Sequence, residues 1–168
     1  MRPNSPVPPL ILLVTIYVIL ASGFITRPGR AASQPIFTDT AECDQQFWDR
    51  TYNPSRLQVI QRCISVTGTV EEVGANSDGD YHMLLRLETG QENLLKRKNM
   101  KNKKGRLVLE IVCANPVQEK KVGTTCNGFS NPLPLPKIGD RIKVWGSYVI
   151  DTNNGWAEIH PVTKILPI

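Results

Sequence analysis

The chain has 168 residues, with 20 basic and 15 acidic side chains for a net charge of +5. The positive balance comes from two places, Arg2, Arg27 and Arg30 near the start and the run Lys96–Arg106. Charge placed so locally argues against a domain that grips nucleic acid over a broad basic face.

Arg2 precedes an apolar run from Leu10 to Leu20, followed by the small residues Ala21, Ser22 and Gly23. This is the order of a secretory signal. The run is short for a spanning helix, which needs about 20 residues, so a cleaved signal over 1–33 is preferred to an uncleaved N-terminal anchor. The expected location is exported, extracellular or at the cell surface, with membrane contact only through this segment. Without residues 1–33 the chain holds 17 basic and 15 acidic residues.

Residues 34–63 are expected to be a leader and a short helix. Pro54 suits a first helical position, and Leu57, Ile60 and Ile64 recur at helical spacing to about Arg62. Residues 64–168 then read as one β domain. Ile64–Val73 is rich in Val and Thr and ends in turn-prone residues through Gly79. Tyr81, Met83, Leu85 and Leu87 alternate with more polar neighbours, a strand by period two. The basic stretch is expected to be a long loop. Leu107, Leu109, Ile111 and Cys113 form the next inward set, with Val108, Glu110 and Val112 opposite. A Pro-rich loop from Ala114 to Lys137 follows, then Arg141–Ile150, the hairpin signal Asn153-Asn154-Gly155 and a last strand from Trp156 to about Ile165. The expected fold is mainly β: a small five-stranded OB-like Greek-key barrel, with another small barrel or sandwich as the alternative.

The four cysteines behind an export signal read as disulfides. The favoured pairs are Cys43–Cys63 and Cys113–Cys126, because each brackets a local excursion; each closure contributes about 3 kcal/mol in the chain-entropy picture.

Several segments together carry a resemblance: Val66-Thr67-Gly68-Thr69-Val70, Asp78-Gly79-Asp80-Tyr81-His82, Val108 to Cys113, Gly139-Asp140-Arg141 and Glu158-Ile159-His160-Pro161-Val162. Over roughly residues 43–168 the chain resembles a group of exported prokaryotic OB-fold-like domains of unknown function. The resemblance implies export and a small β domain, and transfers no residue role.

Only two histidines occur, His82 and His160. If Tyr81, Leu107 and Ile159 face inward, then His82, Glu110, Glu158 and His160 face outward on neighbouring strands, with Asp80 and Trp156 on the same face. These six are the candidate ligand contacts. Imidazole and carboxylate suit zinc-like ions, so His82, Glu110 and His160 are the candidate ligands for a divalent metal. The ordinary alternative is that each histidine pairs locally with an acid. Asp78-Gly79-Asp80 also resembles a segment of calcium-dependent OB-fold nucleases, although Asp-Gly is common turn chemistry. Lys96, Arg97, Lys98, Lys101, Lys103, Lys104 and Arg106 are candidate contacts for a polyanion or cell-envelope component. No Gly-x-Ser-x-Gly elbow is present, and no catalytic residue is assigned. The preferred reading is a non-catalytic exported binding domain. The alternative is a metal-dependent hydrolase or nuclease-like enzyme using the His and acid cluster.

Overall fold

The structure, a computed structural model, describes residues 43–168. The expected signal over 1–33 and the leader through 42 lie outside the described residues. No helix among the described residues is long and apolar enough to cross a membrane.

Five strands carry the fold: β1 (Leu57–Ala75), β2 (Tyr81–Leu87), β3 (Leu107–Ile111), β4 (Arg141–Asp151) and β5 (Ala157–Pro167). They pair in the order β1-β2-β3-β5-β4, and β4 pairs back onto β1, so the sheet closes on itself as a barrel. β3 and β5 run parallel, and the other neighbours are antiparallel. β1 reaches 19 residues because it serves two partners. Its first part pairs with β4 and its last part with β2, with register shifts near Val59, Gln61 and Val70. Gly68 sits where both pairings overlap, and a Cβ there would collide with the backbone of Arg86.

The barrel interior is filled by Ile64, Val66, Val70, Met83, Leu85, Leu107, Leu109, Ile111, Ile142, Val144, Ile159 and Val162. The inward parity expected for the second, third and fifth strands is therefore present, with Tyr81 packed at the edge of the cluster. Both expected disulfides, Cys43–Cys63 and Cys113–Cys126, are formed. Paired cysteines suit an oxidising compartment.

Two expectations are corrected. The helix expected from Pro54 to about Arg62 is only a 3-10 turn, Pro54–Arg56, and β1 begins at Leu57. The helical spacing of Leu57, Ile60 and Ile64 does not mark one buried face, since Ile60 is 52 % exposed while Leu57 and Ile64 are buried. β-branched residues pairing with β4 decide the local structure instead.

The basic stretch is not a plain loop. It holds a short helix, α2 (Arg97–Asn102). Its anchor is Asn99, fully buried within a polar run. The Asn99 Nδ2 group donates to the carbonyls of Arg106 (3.0 Å) and Ala157 (2.9 Å). Its Oδ1 accepts from the backbone N–H of Lys96 (3.1 Å) and Ala157 (2.7 Å). All four bonding positions of the amide are used, and α2 is thereby bolted to the start of β5.

A second layer lies outside the barrel. The short helix α1 (Gln45–Trp48) packs against β5. Phe47 of α1 meets Phe129 edge-to-face at 5.9 Å. Arg50 donates to the Thr125 carbonyl at 3.1 Å, joining α1 to the loop closed by Cys113–Cys126.

Candidate functional site

The loop between β1 and β2 is set by Asp78-Gly79-Asp80. Gly79 adopts φ +98°, a conformation that favours glycine. Asn76 N–H donates to the Asp80 carbonyl at 2.9 Å, and Asp80 N–H donates to Asp78 Oδ1 at 3.2 Å. The Asp80 side chain turns inward, where Oδ1 accepts from Cys113 N–H at 2.9 Å. The segment is thus a turn clamped to the disulfide loop. Asp80, expected as a ligand contact, is 2 % exposed and serves this clamp.

Opposite lies the turn between β4 and β5. Asp151 Oδ1 accepts from the N–H groups of Asn153 (2.8 Å) and Asn154 (3.0 Å). Its Oδ2 takes Arg56 Nη1 at 2.7 Å and Asn154 Nδ2 at 2.8 Å. Arg56 also lies 3.6 Å from Glu158 Oε1.

Between these two turns opens a cleft of about 470 Å³. Its lining includes Arg56, Asn76, His82, Lys103, Glu110, Asp151, Trp156 and Glu158. Strand register explains the central pair: His82 is the direct partner of Glu110 across β2 and β3. His82 Nδ1 lies 2.9 Å from Glu110 Oε1, and Asn76 Nδ2 supports the same carboxylate at 3.4 Å. With the ring proton on Nδ1, Nε2 remains as an acceptor. Glu158 neighbours this group because β5 lies beside β3, with Glu158 paired to Val108. Its Oε2 accepts from Trp156 Nε1–H at 3.0 Å.

His160 departs from expectation. Its outward parity is right, but the face is covered, and the ring is completely buried. Nδ1 lies 3.2 Å from Glu158 Oε1, and Nε2 lies 3.8 Å from Asp80 Oδ2. Neither ring nitrogen makes an aligned hydrogen bond among the described residues. The expected surface patch is corrected accordingly: His82, Glu110, Trp156 and Glu158 line the cleft, while Asp80 and His160 form a buried row behind it.

The row is electrostatically tense. Burial lifts the Asp80 carboxyl to about 7; the charge of His160 opposes this, and Glu110 and Asp78 reinforce it. Burial works against charge on His160, yet the carboxylates of Glu158, Glu110 and Asp80 outweigh it and hold the imidazole above its ordinary pKa. Burial likewise disfavours a charged Glu158, but His160, Arg56 and the Trp156 N–H together hold it below the ordinary carboxylate value.

The expected metal set of His82, Glu110 and His160 is not brought together. His82 and Glu110 bond to each other, while His160 is enclosed by Glu158 and Asp80. No group of three His, Cys, Asp or Glu residues among the described residues is arranged to hold a metal ion.

The basic run divides. Lys103 lines the cleft and holds Nζ 4.1 Å from the centroid of the Trp156 ring. Lys98 lies half-buried against Gly155, and Lys96 Nζ sits 5.9 Å from the Tyr148 ring centroid. Arg106 pairs with Glu71, and Lys104 lies 3.7 Å from Glu72. Arg97 and Lys101 are exposed. Arg56, Asn76, Asn99 and Asp151 were not singled out from the sequence. The turn-forming Asp151-Thr152-Asn153-Asn154 run was the available signal for Asp151; the others depend on contacts distant in the chain.

No family model matches the chain, and no curated protein matches it at a significant level.

Proposed function

We propose that this is an exported, non-catalytic binding domain of OB-like Greek-key type, with its ligand in the cleft between the two turns. The ring order β1-β2-β3-β5-β4 and the parallel β3–β5 pair support the OB-like reading. One observation carries the functional reading: the cleft combines β2–β3 side chains, His82 and Glu110, with the β1–β2 loop through Asn76 and the β4–β5 loop through Asn153, Asn154 and Trp156. Domains of this architecture take oligonucleotides and oligosaccharides on that combination of surfaces. The apolar run after Arg2, the two disulfides and the resemblance to exported domains support export.

The test is a titration of the full chain with soluble polysaccharides and oligonucleotides, read at the Trp156 indole N–H by NMR. The expected result is a saturable shift of that resonance, with the affinity measured by calorimetry falling in Trp156→Ala. Saturable binding that leaves Trp156 and His82 unmoved would place the ligand elsewhere and end this reading.

A hydrolase is the second reading. Its support is the His82–Glu110 pair, which orients an imidazole at a cleft as a general base is oriented. Among the described residues no third ligand stands beside that pair for its metal-dependent form. Cleavage of a bound polymer, abolished by His82→Gln with binding retained, would favour this reading over simple binding.

A further inference from the structure

We infer that the cleft takes an acidic polysaccharide, with acid groups on the lysines of its rim and sugar hydroxyls inside. This rests on the binding reading above and names its ligand class.

Three carboxylates line the cleft beside Arg56, Lys103 and Lys121, so its composition alone favours neither sign. The bonding of the carboxylates decides the balance. Glu110 is held by His82 and Asn76. Asp151 is held by Arg56, Asn154 and two backbone N–H groups. Glu158 is held by the Trp156 N–H, with Arg56 and His160 beside it. All three are buried at 7 % exposure or less. Asp151 and Glu158 face Arg56 and His160, and the Glu110 oxygens are already engaged by His82 and Asn76, so the three present little free carboxylate to an arriving ligand.

The available charge at the rim is positive. Lys103 has no ion-pair partner among the described residues and lies over the Trp156 ring. An acid group can engage the ammonium while the C–H face of its sugar ring meets the indole. Lys98, on α2 just before Lys103, lies against Gly155 in the neighbouring turn, and Lys101 is exposed one turn further along α2. The Asn99 bolt between α2 and β5 fixes this basic helix beside the cleft. A chain with regularly spaced acid groups could follow it. Inside, Asn76 and Asn153 bring amide groups suited to hydroxyls.

Nucleic acid fits less well. Single strands are held by successive aromatic platforms beneath successive bases, whereas the aromatics of this cleft are Tyr52 and Trp156, and Trp156 is already shared with a lysine.

The experiment titrates the full chain with a short polyuronate, a neutral glucan of equal length and an oligothymidylate of equal charge, read at the Trp156 indole N–H. The polyuronate is expected to shift it saturably, to weaken as salt rises and to lose about tenfold in affinity in Lys103→Gln, roughly the loss of one good charged contact. The melting temperature of Lys103→Gln should match that of the parent chain. Tighter binding of the oligothymidylate, or an unchanged polyuronate affinity in Lys103→Gln, overturns the proposal. A shift with the neutral glucan alone overturns the acidic class and leaves the cleft reading standing. No shift with any of the three removes both.

Discussion

His160 places Nδ1 3.2 Å from Glu158 Oε1 inside a fully buried row. The same ring approaches Asp80, which clamps the β1–β2 turn to the disulfide loop, while Glu158 holds Trp156 and neighbours Arg56 on the other side of the cleft. One imidazole therefore stands between the supports of both cleft walls. A charge in such a place is tolerated only because carboxylates surround it.

Stability should fall as pH rises from mildly acidic to alkaline. Unfolded, Asp80 ionises near 3.8; folded, it does so at about 7. The folded state keeps a proton that the unfolded chain releases, so stability declines through that window. His160, raised above 6.5, contributes stability that is complete below 6.5 and lost as pH passes its folded value. Glu158, lowered below 4.5, contributes stability present above 4.5 and lost in stronger acid. Denaturant unfolding should therefore give a larger free energy at about pH 5 than at about pH 8. Asp80→Asn should flatten part of that decline, and an unchanged pH dependence in this variant would contradict the assignment.

Removing the histidine should be costly, and removing both charges less so. His160→Phe leaves Glu158 buried without its nearest cation, and breaking such a pair costs roughly 3–5 kcal/mol. Glu158→Gln added to it removes the stranded charge and keeps an acceptor for the Trp156 N–H. Equilibrium unfolding at about pH 6, where the folded-state imidazole is protonated, should show the double variant recovering part of the loss. Equal or greater destabilisation in the double variant would mean that the charge pair is not the source.

Asn99 is the next test. Its side chain satisfies four backbone groups around Lys96, Arg106 and Ala157. Asn99→Ala strands the buried ones, at roughly 1–3 kcal/mol each, so a total loss above about 3 kcal/mol is expected. Hydrogen exchange at the Ala157 amide should accelerate along with the loss. If Ala157 stays as protected as in the parent chain, Asn99 does not bolt α2 to β5.

The strands were legible because their inward residues alternate, as in Tyr81, Met83, Leu85 and Leu87. The two disulfides were legible from their local spacing. That His82 and Glu110 share an outward face on neighbouring strands was readable from alternation and strand order, but their direct pairing depends on a register that alternation does not set. What escaped was set by distant contacts. α2 has no apolar stripe, and its anchor bonds to a residue 58 positions away. His160 was placed on the correct side of its strand, but the packing that buries that side, α1 against β5 included, is tertiary, and alternation says nothing about it. Pro54 and the spacing of Leu57, Ile60 and Ile64 suggested a helix, but strand pairing overrode that local pattern.

A final prediction contrasts two glycines. Gly146 lies in β4 opposite Val162 of β5. A Cβ on it would fall inside van der Waals contact of the Pro161 carbonyl oxygen and of Ile159 Cγ2. The oxygen is backbone and cannot swing aside as a flexible side chain would. The strands must separate at the point where Ile159 enters the core and His160 enters the buried row. Gly146→Ala should therefore cost about 3 kcal/mol or more, at the upper end of overpacking effects, and should shift the His160 ring resonances. Gly74, near the end of β1, has nothing within 4 Å of the same added carbon. Gly74→Ala should be neutral or stabilise slightly, by up to about 1 kcal/mol through the unfolded chain. Urea unfolding of both variants checks the pair. Similar stabilities for the two would show that β4 and β5 do not meet as closely at Gly146 as the structure places them.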